Sequence, residues 1–227
     1  MFYHLLNLFF PVSCAGCHSF LLSEEKVICT QCRHEIPLTN HHKIAENEVV
    51  QKFYGRIPLV FGCALFYFHK KGIVQELIHK LKYKGQEEIG ETIGNWYSEE
   101  LKSLEQMATI DFIIPVPLHK KRLKERGYNQ VERFGKAMSE NLKIPYNDQL
   151  LFRKLYTKTQ TKKDLLGRAD VISTVFDVAI TENYLGKHFL LIDDVITTGS
   201  TLEACSRALL KIPNTKISIV CMAMAHS

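Results

Sequence analysis

The chain is expected to fold as an α/β domain, a parallel sheet with helices on both faces, preceded by a small cysteine-paired module. Three observations predict this. Beyond about residue 50, short apolar runs alternate with segments whose apolar residues recur at three-and-four spacing, the pattern of strands alternating with amphipathic helices. The runs of Phe189 to Ile192 and Ile217 to Met224 are apolar throughout, as strands buried on both faces must be. The first forty residues differ in character, with paired cysteines and few helix signals beyond Phe2 to Phe10.

Taken in order, Phe61 to Phe68 reads as the first strand. Ile73, Leu77, Ile78 and Leu81 share one helix face, and Ile89, Ile93, Trp96, Leu101 and Leu104 continue a second. Ile110 to Pro115 is a short buried strand, closed by Pro115 and Pro117. Val131, Phe134, Ala137, Met138 and Leu142 mark a further helix. Phe189 to Ile192 is a strand running into Asp193 and Asp194. Gly199 to Lys211 follows as a helix stopped by Pro213, and Ile217 to Met224 closes the sheet. The polar stretch Thr39 to Gln51 reads as a linker. It divides the chain into residues 1–50, the module with its linker, and residues 51–227, the α/β domain.

With 227 residues, 46% of them hydrophobic and 23% charged, the chain can build a substantial core. The net charge of +5 is too small to name an anionic partner. The longest apolar stretch, Ile57 to Phe68, is about half of the ~20 residues that a membrane-spanning helix needs. The opening MFYHLLNLFF has no basic leader before its apolar run, so a cytoplasmic chain without a signal peptide is expected.

Cys14, Cys17, Cys29 and Cys32 repeat the same two-residue spacing, with eleven residues between the pairs. Two such knuckles turn four thiolates onto one ion and fill the tetrahedral shell of structural zinc. Disulfides and an iron–sulfur cluster are the competing readings, and zinc is the one expected in a reducing compartment. His18 and His34 lie beside the knuckles as potential competitors. Cys63, Cys205 and Cys221 sit in apolar surroundings and are expected to be core residues.

The most informative string is LLIDDVITTGST, Leu190 to Thr201. An apolar strand delivers Asp193 and Asp194, and a loop of small hydroxylated residues with one glycine then opens a helix. Free N–H groups at a helix start attract anions, and Gly199 lets the backbone approach a phosphate closely. Thr197, Thr198, Ser200 and Thr201 add hydroxyl donors, and the two acids can accept from sugar hydroxyls. No Gly-Lys-Ser/Thr follows, so it is not a Walker loop.

This string resembles the phosphoribosyl-pyrophosphate motif of type I phosphoribosyltransferases. The wider pattern resembles the competence protein F (ComF) family more closely, in which a four-cysteine zinc module precedes a phosphoribosyltransferase domain. Pro115-Val116-Pro117-Leu118-His119 followed by Arg126-Gly127-Tyr128-Asn129-Gln130 matches that family's second hallmark. The resemblance implies that Asp193 and Asp194 hold ribose hydroxyls and that Thr197, Thr198, Gly199, Ser200 and Thr201 cradle a 5′-phosphate. Val116, Pro117 and Leu118 would face pyrophosphate, with Lys120, Lys121, Arg122 and Arg126 neutralising it. Thr159, Gln160 and Arg168 would belong to a mobile hood, where Val171 replaces the family's asparagine and Leu165 a common basic residue.

Two function classes follow. A transferase would displace pyrophosphate from the anomeric carbon of the sugar by a nitrogen nucleophile, with Mg²⁺ bound. A non-catalytic phosphoribosyl-pyrophosphate sensor, or a scaffold for single-stranded DNA and other competence proteins, would use the same ligand loop. The basic stretches Lys120 to Arg126 and Arg153 to Lys163, with Tyr128 and Tyr156 interleaved, suit either pyrophosphate or a single strand.

Overall fold

The computed structural model describes residues 11–154 and 175–225. The helix signal at Phe2 to Phe10 lies outside these residues, as do Tyr156, Thr159, Gln160, Leu165, Arg168, Val171 and most of the second basic stretch. In chain order the elements begin with helices α1 (Thr30–Glu35) and α2 (Glu48–Lys52), strand β1 (Gly62–Phe68), and helices α3 (Ile73–Tyr83) and α4 (Glu88–Leu101). Strand β2 (Phe112–Pro115) leads to helices α5 (Lys120–Arg126) and α6 (Glu132–Leu142) and to strands β3 (Leu151–Arg153) and β4 (Phe176–Val178). Strand β5 (His188–Ile196), helix α7 (Ser200–Leu209) and strand β6 (Lys216–Ala225) complete the fold.

The main sheet runs β1-β6-β5-β2, and every pairing in it is parallel. Leu191 of β5 registers with Ile114 on one side and Ile219 on the other. Side chains alternate across a strand, so β5 sends Leu190 and Ile192 to one face and Phe189 and Leu191 to the other. The first face is packed by Leu77 of α3, Ile93 of α4, and Phe134 and Met138 of α6. The second is packed by Leu202 and Ala208 of α7 and by Phe53, which follows α2. Both faces are therefore covered, and this is why the central strands are mostly apolar, with Phe189 to Ile192 apolar at every position up to the acids. Helices α4 and α6 meet closely at Gly94, where a Cβ would stand 2.6 Å from the Phe134 carbonyl oxygen.

The structure differs from the sequence expectation in three places. Thr39 to Gln51 is not a free linker. Leu38 bridges Phe66 on the edge strand β1, and the Thr39 N–H donates to the Leu65 carbonyl at 2.9 Å. Buried Asn47 caps α2 through its Oδ1 and donates from Nδ2 to the Gly62 carbonyl at 2.8 Å. A polar segment can be packed in this way because its polar groups satisfy backbone groups instead of water. Second, β5 continues through Val195 and Ile196, which pair with Ala223 and Met224, so the two acids lie within the strand rather than after it. Third, β3 and β4 form a two-stranded antiparallel pair against α7, too short to show a period in the sequence.

Three histidines are built into the fold as neutral groups. His41 and His188 are buried, the latter between Thr109 Oγ1 and Ser218 Oγ at 2.9 Å each. Burial holds the imidazoles of His41, His42 and His188 below their ordinary pKa. The unfolded chain takes up protons that the folded chain resists. The stability these three histidines contribute is therefore full above about pH 6.5 and is lost as pH falls below it. The melting temperature should drop between about pH 7.5 and 5.5, and less steeply in His188→Gln. A melting temperature flat across that window would contradict this account.

Candidate ligand cleft and metal centre

From β2 the chain passes to α6 on one face of the sheet, whereas from β5 it passes to α7 on the other. Two neighbouring strands thus send their continuations apart. Ligands of open parallel sheets sit in the crevice this opens at the carboxyl ends of the strands. A cleft of about 470 Å³ lies there, bringing Val116, Pro117, Arg122 and Arg126 opposite Asp193, Asp194 and Thr201. A cup of about 40 Å³, formed by Asp193 and the loop from Val195 to Leu202, adjoins it. On the far side a recess of about 370 Å³ shares Lys82, Tyr83, Arg122 and Arg126. Lys120 and Lys121 line none of these spaces and stand exposed on α5.

The loop is shaped by its own backbone. Gly199, at φ +78°, caps α7 in the left-handed region that favours glycine. The Thr198 hydroxyl lies 3.0 Å from that of Ser200, so two hydroxyls cluster at the start of the helix. The acids are held differently from each other. Asp194 is buried and paired with Lys82 from the end of α3, whose Nζ lies 2.9 Å from each carboxylate oxygen. Asp193 is half-buried and accepts the Asp194 N–H at 2.8 Å. Burial, then the adjacent Asp194 charge, raises the Asp193 carboxyl well above the usual carboxylate range.

The Arg126-to-Gln130 string acquires a physical reading residue by residue. Arg126 reaches the cleft, stacks over the Tyr83 ring at 5.4 Å, and is hydrogen-bonded by buried Gln130. Gly127, at φ +86°, ends α5. The Tyr128 hydroxyl donates to the Leu81 carbonyl at the end of α3, and Asn129 Nδ2 donates to the Val116 carbonyl at 3.1 Å. The string therefore ties α3, the turn after β2 and the arginine together around the cleft.

Lys82 also lines the cleft and was not identified from the sequence, whereas Gln130 comes from the second hallmark string and Arg153 from the start of the second basic stretch. Lys82 sits in Leu81-Lys82-Tyr83-Lys84-Gly85, where a cation in the last helical turn reads as an ordinary dipole partner. Arg153 arrives on β3, whose pairing with β4 across twenty-two intervening residues leaves no local signal.

The cysteine knuckles converge. The Sγ atoms of Cys14, Cys17, Cys29 and Cys32 all lie within 4.8 Å of one another, and Cys17 and Cys29 approach to 3.6 Å. Tetrahedral zinc with sulfurs at about 2.3 Å needs sulfur separations of roughly 3.8 Å, so the set fits a metal ion. Cys14 Sγ accepts N–H groups from Gly16 at 3.3 Å and Cys29 at 3.2 Å, and Cys29 Sγ caps α1 by accepting from Cys32 at 3.4 Å. The Ser19 hydroxyl and N–H lower the Cys17 thiol to about 6. His18 turns instead toward Glu76 and Lys80, and neither His18 nor His34 joins the sulfur group. The module is docked on the domain. Cys14, Cys29 and Cys32 share a core with Leu77 and Ile93, and Arg33 stacks over Trp96 at 4.7 Å.

Among the described residues no helix is long and apolar enough to cross a membrane. Residues 132–227 match the phosphoribosyl transferase domain family. The chain is 32% identical to competence protein F of Haemophilus influenzae over 153 residues, 66% of this chain and 67% of that protein. It is 26% identical over 204 residues to competence protein ComFC of Bacillus subtilis, covering 85% of this chain and 81% of the relative. It is 25% identical over 203 residues to the DNA utilization protein YhgH of Escherichia coli K12, covering 87% and 84%. With a four-cysteine cluster before a parallel α/β sheet, an acid pair and a hydroxyl-rich loop at the switch point, and these relatives, the chain belongs to the competence protein F family and carries a phosphoribosyltransferase-type domain.

Proposed function

We propose that the cleft binds phosphoribosyl pyrophosphate. One observation carries this reading: the hydroxyl-lined cup, the acid pair and the arginine wall open onto one cavity at the switch point of the sheet. The spacing suits a ligand with a phosphate at one end, a diol in the middle and a diphosphate at the other. The 5′-phosphate enters the cup, Asp193 and Asp194 accept from the ribose hydroxyls, and Arg122 and Arg126 face the pyrophosphate. For Asp194 to serve the sugar, Lys82 must give up one carboxylate oxygen, and it is then placed to follow the incoming anion. Magnesium bound with the ligand would add charge neutralisation at the leaving group, and the half-buried Asp193 carboxylate is an oxygen donor suited to it.

As a transferase, the protein would favour cleavage of the bond between the anomeric carbon and pyrophosphate by stabilising charge on the leaving group as it departs. A nitrogen lone pair of the acceptor forms the new bond. Incubation with phosphoribosyl pyrophosphate, Mg²⁺ and a panel of nitrogenous bases, followed by pyrophosphate release, tests this. If pyrophosphate is released with no base in the panel while the ligand still binds, the sensor reading replaces it.

A second reading is favoured by the exposure of Lys120 and Lys121 outside the cleft, and by the names of the relatives, which concern competence and DNA utilization. These cations would hold single-stranded DNA while Arg122 and Arg126 serve pyrophosphate. The protein would then act in the cytoplasm beside other competence proteins, where reduced thiols also suit a structural zinc in the cysteine cluster.

Four outcomes are expected. Elemental analysis should find about one zinc per chain, and Cys29→Ser should lose it and loosen the module. A folded, metal-free protein with its cysteines paired as disulfides would overturn that assignment. In calorimetry, Asp193→Asn with Asp194→Asn should weaken phosphoribosyl pyrophosphate binding by on the order of tenfold or more, because charged hydrogen bonds are lost. No binding by the wild-type protein at millimolar ligand would end the reading. Arg122→Ala with Arg126→Ala should weaken phosphoribosyl pyrophosphate and spare ribose 5-phosphate. Lys120→Ala with Lys121→Ala should instead flatten the salt dependence of single-strand binding, by roughly 0.7 in log–log slope for each lost phosphate contact.

A further inference from the structure

The loop from Thr197 to Thr201 does not stand alone, since it is held from behind by residues that precede β1. Arg56 Nη1 donates to the Thr198 carbonyl at 3.0 Å, and the Phe53 ring packs so closely that a Cβ on Gly199 would lie 3.0 Å from its Cζ. Both residues lie far outside the segment that matches the phosphoribosyl transferase domain.

We propose that Arg56 is a positioning residue that locks the orientation of the Thr198–Gly199 peptide, so that the Gly199 N–H and not the Thr198 carbonyl faces the bound anion. The inference rests on the reading of the cup as the 5′-phosphate site. A trans peptide is planar, with its carbonyl and N–H on opposite sides. Arg56 pulls the Thr198 carbonyl toward itself, which turns the Gly199 N–H the other way. Neither Arg56 nor Phe53 lines the cup, so the N–H is turned toward the cup side. Glycine tolerates both orientations of the preceding peptide, so the local chain does not choose between them. In the flipped form a carbonyl oxygen would point at a phosphate, and an anion donor would become a repulsive acceptor.

The guanidinium itself is fixed from several directions. Its Nε donates to Glu203 Oε2 at 2.8 Å, Nη1 also reaches the Lys52 carbonyl at 3.1 Å, and the group stacks over Phe53 at 5.5 Å. Glu203 belongs to the first turn of α7, and its N–H donates to the Gly199 carbonyl at 2.8 Å, closing that turn. Arg207 donates to the Arg56 carbonyl at 2.9 Å and to Glu203 Oε1, completing a clasp between the segment after α2 and the start of α7. Arg56 and Arg207 share Glu203, so the clasp keeps one net positive charge, and Arg56→Lys, which preserves that charge, separates direction from attraction. Lysine has no planar fork and cannot hold Glu203 and the Thr198 carbonyl together.

The test uses full-length protein and two readouts. Arg56→Ala should weaken ribose 5-phosphate binding in calorimetry by on the order of tenfold, Arg56→Lys should recover little of it, and added guanidinium should restore part. Independently, the ¹⁵N amide resonance of Gly199 in the ligand-free protein should shift or broaden in Arg56→Ala. If Arg56→Ala does not fold, Glu203→Gln, which frees the guanidinium, is read by the same two measurements. A variant with a lower melting temperature but wild-type affinity and an unaltered Gly199 resonance would make the clasp mere scaffolding and overturn the proposal. If the wild-type protein binds no ribose 5-phosphate, the phosphate reading fails, and the Gly199 resonance alone still decides whether Arg56 sets the peptide.

Discussion

Strand β5 is hydrogen-bonded on both sides, to β6 and to β2, and this double pairing lets it carry two adjacent carboxylates to the edge of the sheet. Partial burial of an acid pair is unfavourable unless each charge is answered. The strand answers it by geometry: its rigid backbone places Asp194 within reach of Lys82 and leaves Asp193 facing the cleft. The remaining parts of the site depend on this arrangement. The cup follows β5 directly, and the arginine wall faces it because β2 is the neighbouring strand whose continuation turns to the opposite face.

The site is thus electrostatically poised rather than relaxed. Lys82 satisfies Asp194, while Asp193 is pushed toward its neutral form by burial and by its neighbour's charge. A ligand that brings hydroxyls to the acids and negative charge to the cations relieves both conditions at once. On the proposed reading, an anion without the diol would reach the cup or the arginines but leave the acid pair as it stands, so the middle of the cleft would supply selectivity as well as affinity.

The regions before β1 do more than precede the domain. The cysteine cluster contributes Cys14, Cys29 and Cys32 to the core shared with α3 and α4, so the geometry of the sulfur cluster and the packing of the first face are linked. The stretch from Leu38 to Asn47 covers the edge of β1 and then anchors α2 through Asn47, which sets Phe53 and Arg56 behind the loop from Thr197 to Thr201. Module, edge cover and loop support form one continuous sequence of contacts.

Much of this was legible in the residues. The apolar runs of β1, β5 and β6 announce themselves because strands buried on both faces cannot alternate, and the helices on the first face because their apolar spacing is regular. The Cys-x₂-Cys pairs and the Asp-Asp-to-Thr-Thr-Gly string are equally local: neighbours in the chain are neighbours in the site. What the tertiary structure decided is whatever depends on distant segments meeting. Lys82 reaches Asp194 across 112 positions and Arg56 reaches Thr198 across 142, and no spacing in the sequence encodes either contact. The division of the basic helix is of the same kind. Arg122 and Arg126 turn into the cleft while Lys120 and Lys121 face outward, because a helix with no buried residue has no apolar face by which its orientation could be read. A polar stretch such as Thr39 to Gln51 looks like a linker for the complementary reason: its side chains satisfy backbone groups of a strand that only folding brings beside them.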